Sequence, residues 1–547
     1  MISNQTIRHF MTTPSFVARD PGPVTVREAV LDLLRSLGMT SIFGNPGSTE
    51  LPFFFDFPED FRYVLGLQES VVVGMADGYA QATHNAAFIN LHSAAGVGHA
   101  MGNIFTAFKN KTPLVITAGQ QARPILPYDP FLGSMQAPEL PKPYVKWSIE
   151  PARPEDVPLA LARAYQIAMT HPRGPVFVSI PSDDWDVPTE RVVPHQVSRN
   201  IRPDAALLAQ AAKALAGSSR PALVVGAAVD RDQGWDDVVK LAELHEARVY
   251  VAPMSGRCSF PEDHRLFGGF LPAIRERIVS ILDGHDLVLA IGAPVFTYHI
   301  DGKGPHLPEG ASLVQLTEDP NVAAWAPAGV SIICSIQQGV RDLVALGAPT
   351  ARAALAPVPR KPVVEMPDRG ERMSVAYVLQ TLDQARTRSS VIVEEAPSSR
   401  STMHDYLPIY ETETFYTMCS GGLGYGLPAA VGVALARPES KVIALIGDGS
   451  AMYSIQALWS AAQFKLPMAF VILNNRKYAA LREFAGIFGY DPATPLTGTD
   501  LPDIDFVTLS QGLGVQAERI SDAAELRSAL DRALNANVPM LIEVEVA

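Results

Sequence analysis

The sequence predicts an α/β protein of three domains, each a mostly parallel sheet covered by helices. Three observations carry this. A chain of 547 residues is too long for a single hydrophobic core and suggests about three. Helical stretches alternate with short, continuous apolar runs, the pattern of strands buried on both faces. Two polar, proline-punctuated stretches, 183–204 and 356–372, cut the chain into segments of similar size.

The first helix opens in "TVREAVLDLLRSLG", where Thr25 and Glu28 form a capping box. Val26, Ala29, Val30, Leu33, Leu34 and Leu37 then mark one helical face. A glycine ends that helix, "SIFG" reads as a strand and "NPGS" as a turn. "AAFINLHS", "PLVITAGQ" and "GPVFVSIP" follow as further strands. The predicted domains are 22–195, 204–355 and 370–547. The outer two close alike, each with an acidic helix start, an Ala/Leu-rich helix, a proline and an alternating strand, as in "PEDVPLALARAYQIAMTHPRGPVFVSIP" and "SDAAELRSALDRALNANVPMLIEVEV". This suggests two copies of one fold around a central domain. The central segment has its own strands, "PALVVGAAV", "ARVYVAP", "DLVLAIGAPV" and "SLVQLTEDP", but no GxGxxG opening a helix, so NAD or FAD has little support.

With 47% hydrophobic and 18% charged residues, the composition is that of an ordinary globular protein. A formal net charge of -13 argues against nucleic-acid binding, which calls for a basic face. Cys258, Cys334 and Cys419 are far apart and form no CxxC pair; they fit a reducing compartment and exclude a thiolate zinc site. No stretch is long and apolar enough for a bilayer, so no membrane is expected. The opening residues, with Arg8 and Arg19 but no apolar core, read as a loose extension on a cytoplasmic protein.

The chemistry starts at "VIALIGDGSAMYS". Parallel α/β sheets bind ligands beyond the carboxyl ends of their strands, where Asp448 stands between Gly447 and Gly449. The glycines allow close approach to a ligand, and the N–H groups entering the next helix suit a phosphate. The next apolar strand, "MAFVILNN", ends at Asn475, twenty-seven positions after Asp448 (475 minus 448). On adjacent parallel strands, Asp448 and Asn475 would stand side by side and supply oxygens to an octahedral Mg²⁺.

GDGS with NN at this distance resembles the diphosphate-binding motif of thiamine-diphosphate enzymes. The resemblance implies that the first and third domains share the cofactor-binding fold, with thiamine diphosphate and Mg²⁺ (or Ca²⁺) as cofactors. It also implies a glutamate of the first domain that activates the aminopyrimidine. In "GLQESVVVGMADGYAQA" this is Glu69, followed at once by three valines, a setting that favours a neutral carboxyl. In this family the glutamate and the diphosphate site come from different subunits, so a homo-oligomer is implied: a dimer at least, with a tetramer expected.

"FGNPGSTELPF", "LQESVVVGMADGYAQA", "FINLHSAAGVGHAMG", "IGAPVFTYH", "GGLGYGLPAA", "GDGSAMYSIQALWSAAQ" and "NNRKYAALREFAG" resemble the benzoylformate decarboxylases, from about residue 22 to the end. The resemblance implies that Ser48 binds the substrate carboxylate, that His92 acts on the carbonyl oxygen, and that His299 transfers a later proton. Histidines suit both steps because an unperturbed imidazole titrates near neutrality. Leu423 would prop the cofactor into its bent shape and Gly421 accept from its amino group. Ser398, Gly447, Gly449, Ser450 and Tyr478 complete the cofactor set with Asp448 and Asn475. The Lys477 carbonyl joins Asp448 and Asn475 on the metal. Phe131, Leu132, Ala480, Leu481 and Phe484 match an apolar lining for a phenyl ring.

Two departures stand out. Pro397 in "EEAPSSR" replaces a hydroxyl residue, and Arg400 falls where a small pocket residue is expected, to turn outward or to meet a substrate carboxylate. The implied reaction is decarboxylation of an aryl 2-keto acid, benzoylformate to benzaldehyde in a mandelate-degrading pathway, with carboligation as a side activity. The alternatives are an acetolactate-synthase-like or pyruvate-decarboxylase-like enzyme, or a binding protein without catalysis. Retention of Glu69 argues against the last.

Overall fold

The computed structural model describes residues 22–348, 351–491 and 494–547; the expected N-terminal extension lies outside them. Three six-stranded sheets, each parallel throughout, organise the chain. The first holds β1 (Ser41–Gly44), β2 (Arg62–Leu65), β3 (Ala87–Leu91), β4 (Leu114–Gln120), β5 (Ser148–Ile149) and β6 (Val176–Pro181). Their order across the sheet is β2-β1-β3-β4-β6-β5.

The middle sheet holds β7 (Pro221–Val225), β8 (Arg248–Val251), β9 (Phe267–Phe270), β10 (Leu287–Ile291), β11 (Ser312–Thr317) and β12 (Val330–Ile333), in the order β9-β8-β7-β10-β11-β12. That is the doubly wound order found in dinucleotide-binding folds, here without the glycine fingerprint. The third sheet holds β13 (Val391–Glu395), β14 (Phe415–Thr417), β15 (Val442–Gly447), β16 (Ala469–Asn474), β17 (Gln516–Ile520) and β18 (Met540–Glu545). Its order, β14-β13-β15-β16-β18-β17, repeats that of the first sheet strand for strand. The likeness of the outer segments therefore reaches topology, beyond general α/β packing.

The apolar runs are buried for the expected reason. β3, β4, β6, β13 and β16 are buried at every position, with helices on both faces. Helix α1 (Val26–Ser36) begins at the predicted capping box: Glu28 N–H donates to Thr25 Oγ1 at 3.2 Å and Thr25 N–H to Glu28 Oε2 at 2.8 Å. In the first linker, Pro188–Thr189 pairs antiparallel with Val24–Thr25, and 190–203 carries no regular structure.

Two helices join the outer sheets. α2 (Glu69–Thr83) packs on α4 (Gly426–Ala436), with α3 (Ser93–Asn110) alongside. Every residue of α4 from Gly426 to Leu435 is buried. The axes come close because of glycines at the crossing: a Cβ on Gly432 would lie 1.9 Å from the Met75 carbonyl oxygen. All three cysteines are free. Among the described residues no helix is long and apolar enough to cross a membrane.

Candidate active site

The predicted residues of the first sheet stand at the carboxyl ends of three neighbouring strands. Ser48 follows β1, Glu69 follows β2 and His92 follows β3. That is where a parallel sheet presents ligands. Ser48 is exposed. Gly47 before it lies flat against the His92 ring, since a Cβ there would meet Nδ1 at 2.2 Å.

His92 has a partner that the sequence reading missed. Its Nδ1 lies 2.8 Å from Glu50 Oε2, and the Glu50 side chain is 1% exposed. The same carboxylate accepts from Gly47 N–H at 2.8 Å, the Thr49 hydroxyl at 2.7 Å and Gly119 N–H at 2.9 Å. With the carboxylate oxygen as acceptor, the pair calls for a proton on His92 Nδ1, which leaves Nε2 as the ring's other nitrogen for a ligand. "NPGSTE" held a signal: the acid three residues after Gly47 also caps the turn.

Glu69 is the first residue of α2. Its side chain is 12% exposed and its Oε2 lies 3.2 Å from Nδ1 of the exposed His99. The surroundings are thus less purely apolar than the three valines suggest. Gly96 brings the α3 backbone against it, with 3.3 Å from a Cβ there to Oε1.

In the third sheet, β15 and β16 are adjacent and in register, Gly447 opposite Leu473. This places Asp448 and the two asparagines together at the sheet edge. Asp448 Oδ1 accepts from Gly449 N–H at 2.8 Å, and Oδ2 from Arg476 N–H at 2.6 Å. Burial raises the Asp448 pKa, and these backbone donors partly offset that. The asparagines divide: Asn474 turns in to Glu543 at 2.7 Å, while Asn475 Oδ1 accepts from Lys477 N–H at 3.1 Å across a tight turn. Gly449 leaves room for the Tyr478 ring, 2.4 Å from a Cβ there. Ser450 is buried and Tyr478 half-buried.

These groups fit a divalent metal and a diphosphate. Asp448 and Asn475 each keep a lone pair after their backbone bond, and hard oxygens with an intermediate carbonyl are what Mg²⁺ or Ca²⁺ takes. No cluster of three or more His, Cys, Asp or Glu able to hold a metal occurs among the described residues. The expected set, one carboxylate with an amide and a carbonyl, is of a different kind.

The Gly421–Gly426 turn leads into α4. Gly421 and Gly424 have φ of +74° and +101°, conformations that cost little only for glycine. Leu423 is half-buried against the core between α2 and α4. Beneath the turn, Glu395 ends β13 wholly buried; Oε1 accepts from Gly424 N–H at 2.7 Å and Oε2 from Gly426 N–H. Burial pushes the Glu395 carboxyl up to about 7. Ser398 lies just beyond, half-buried in a short turn begun by Pro397.

Arg400 corrects an expectation. It neither turns outward nor presents a free charge to substrate. Its Nε donates to Glu394 Oε2 at 2.9 Å and Nη2 to the Thr417 hydroxyl at 2.8 Å. Glu394 is fully buried, and an uncompensated charge there would be costly. His299 and Phe484 meet edge to face, ring centroids 4.4 Å apart, joining the loop after β10 to helix α5 (Ala479–Ala485). α5 has no buried residue; Leu481 is 55% exposed and Phe131 86%. Leu132 and Ala480 are half-buried. The expected lining is therefore surface of this chain and not core.

Residues 24–138 match the thiamine pyrophosphate enzyme N-terminal TPP binding domain, 208–343 the central domain and 397–544 the C-terminal TPP binding domain. The chain is 45% identical to benzoylformate decarboxylase of Pseudomonas aeruginosa over 95% of its length and 98% of the relative's. It is 25% identical to a probable acetolactate synthase large subunit of Methanocaldococcus jannaschii, over 95% of this chain and 91% of that one. Among solved structures it superposes on the thiamine diphosphate-dependent 4-hydroxybenzoylformate decarboxylase of Rhodococcus jostii with a TM-score of 0.92, at 40% identity over 96% of this chain and 99% of that one. Benzoylformate decarboxylase from Polynucleobacter necessarius gives 0.91, at 39% identity over 96% and 98%. The chain belongs to the thiamine-diphosphate-dependent 2-keto acid decarboxylase family and is a benzoylformate-decarboxylase-like carboxy-lyase.

Proposed function

We propose that this enzyme decarboxylates an aryl 2-keto acid without oxidation, converting benzoylformate to benzaldehyde and CO₂ with thiamine diphosphate and Mg²⁺ or Ca²⁺. The observation that carries this is the Glu50–His92 pair beside Ser48: an imidazole held in one tautomer by a buried carboxylate, next to a free hydroxyl. The apolar side chains on and near α5, with Phe484 against His299, support an aromatic substituent. The decarboxylase names of the relatives support the same substrate class.

Thiamine diphosphate, when bound, would supply the carbon nucleophile and the electron sink that decarboxylation of a 2-keto acid needs. The protein's part is binding and proton handling. Asp448, Asn475 and the Lys477 carbonyl hold the metal, and Ser398, Gly447, Gly449, Ser450 and Tyr478 surround the diphosphate. Leu423 and Gly421 shape the ring end, and Glu69 exchanges a proton with the aminopyrimidine. Ser48 Oγ binds the substrate carboxylate. His92 Nε2 faces the carbonyl oxygen and holds its proton, and His299 delivers the proton that completes the aldehyde. Phe131, Leu132, Ala480, Leu481 and Phe484 enclose the ring. Arg400 keeps its ion pair with Glu394 and sits behind the pocket.

The three sheets correspond to domains at 22–195, 204–355 and 370–547. Exposed Phe131 and Leu481 agree with a site completed by a second copy, in a dimer or tetramer. Carboligation, a cytoplasmic location and mandelate catabolism belong to the same proposal. The deciding experiment is aldehyde formation from benzoylformate, pyruvate and a branched-chain 2-keto acid, with and without added cofactor and Mg²⁺. Cofactor-dependent turnover strongest on benzoylformate is expected; a preference for pyruvate would overturn the substrate assignment. The Glu69→Gln variant is expected to lose turnover while still binding cofactor.

A further inference from the structure

Asn103 lies on α3, one turn beyond His99, with 2% of its surface exposed. Its Nδ2 donates two hydrogen bonds, to the Ser70 carbonyl at 2.7 Å and to the Gly424 carbonyl at 3.1 Å. Ser70 follows Glu69 and Gly424 follows Leu423. One amide group, with both hydrogens used, thus ties the start of α2 to the turn that enters α4.

Both ends of this tie are held independently. Glu395 grips the turn from below through the Gly424 and Gly426 N–H groups, so the residue at position 424 is fixed at its amide and at its carbonyl. Along the helices, α2 and α4 touch backbone to backbone at Met75 and Gly432, which prevents sliding. A Cβ on Gly74 of α2 would stand 3.1 Å from Asn103 Nδ2, so the amide fills its space without slack.

We propose that Asn103 is a positioning residue that sets the register of Glu69 against the Leu423 turn. This rests on the reading of Glu69 and Leu423 as the residues that face the cofactor ring. In a two-fold dimer each site takes Glu69 from one chain and Leu423 from the other. The tie within each chain therefore links the Glu69 of one site to the Leu423 turn of the other, and a slip in it displaces a ring-facing group in both sites. Small misplacements of such groups cost rate steeply, about 10²-fold for 1 Å.

The test uses the full-length protein and the Asn103→Ala and Asn103→Ser variants, serine keeping one donor. Hydrogen exchange of the cofactor-free proteins is read first: peptides covering the 421–426 turn should take up deuterium at least about threefold faster in Asn103→Ala. With thiamine diphosphate and Mg²⁺ bound, exchange of the cofactor C2 proton, followed by NMR after acid quench, should slow by about tenfold or more in Asn103→Ala and less in Asn103→Ser. Cofactor affinity should change by less than about threefold, because the diphosphate and metal are held elsewhere.

C2 exchange at the wild-type rate in both variants overturns the inference, whatever happens to thermal stability. So does a loss of affinity in Asn103→Ser as large as its loss of exchange rate, which marks a general structural role. The Glu69→Gln control separates the two levels. If it binds cofactor and exchanges as fast as wild type, the role given to Glu69 falls and this inference falls with it. If Glu69→Gln is slow and Asn103→Ala is not, only the role of Asn103 falls.

Discussion

Glu50 holds His92 by its δ nitrogen at 2.8 Å, and three further donors converge on the same carboxylate. The ring is thus held in orientation by a carboxylate that is itself buried. Glu50→Gln keeps the shape but can present its NH₂ to a nitrogen that must donate. Turnover on benzoylformate is expected to fall by about 10- to 100-fold, within the range for general acid–base groups. Cofactor affinity should stay unchanged, and His92→Ala should add little once Glu50 is replaced. Steady-state kinetics of the two single variants and the double variant check this; full additivity of the two losses would refute the pairing.

What the sequence could and could not reveal follows from where the information sits. Strands such as "VIALIG" and "AFVILN" were legible because strands buried on both faces read as unbroken apolar runs. Asp448 and Asn475 were legible because each ends such a run. The strand orders were not, since the pairing of distant runs leaves no local trace. Glu50, Glu395 and Asn103 stayed hidden because their value depends on partners 42, 29 and 321 positions away. Two consecutive glutamates closing "VIVEE" were a usable warning of buried carboxyls. Arg400 was read without its counter-ion, although Glu394 stands only six positions earlier.

Asp448 is buried and its carboxyl is pushed up by desolvation, so a cation beside it relieves a cost that the free protein carries. Asp448→Asn is expected to weaken Mg²⁺-dependent retention of thiamine diphosphate by at least about 10- to 100-fold. Prolonged chelator treatment of the wild-type holoenzyme should release the cofactor, and Mg²⁺ or Ca²⁺ should restore it. Equilibrium dialysis at fixed cofactor and varied metal gives the number; retention unaffected by the chelator would refute the metal site.

Asp77 is fully buried on α2, where Gln81, Thr112 and Asn110 donate to it, yet burial still lifts its carboxyl to about 6. Its folded value exceeds the ordinary aspartate value of about 3.9. The folded chain therefore binds this proton more tightly than the unfolded one. The resulting stability is complete below about pH 4 and is lost as pH rises through about 6. Asp77→Asn removes this dependence. The variant should gain on wild type by about 2–3 kcal/mol between pH 4 and 7.5, at most. Urea unfolding of the cofactor-free proteins at several pH values tests it, and a difference that is flat with pH would refute it. Glu395, lifted to about 7, contributes in the same direction and remains in both proteins.

Glu69 and the Leu423 turn stand at the same end of the α2–α4 crossing, where Asn103 ties them, and Gly432 is what lets the crossing close. A methyl group there would face the Met75 carbonyl oxygen at 1.9 Å and the Tyr79 nitrogen at 2.8 Å. Both are backbone atoms of a buried helix, so neither can swing aside, and the helices must separate. Gly432→Ala is expected to destabilise the protein by about 1–3 kcal/mol or more and to weaken cofactor binding with it. Gly217 is the matched control, at the end of the Ala205–Gly217 helix with open space where a Cβ would go. There alanine should be neutral or stabilising by up to about 1 kcal/mol, by restricting the unfolded chain. Denaturation midpoints of the two variants, with and without cofactor, separate a packing effect from a general response to alanine. A loss in Gly432→Ala no larger than in Gly217→Ala would show that the helices have room to spare.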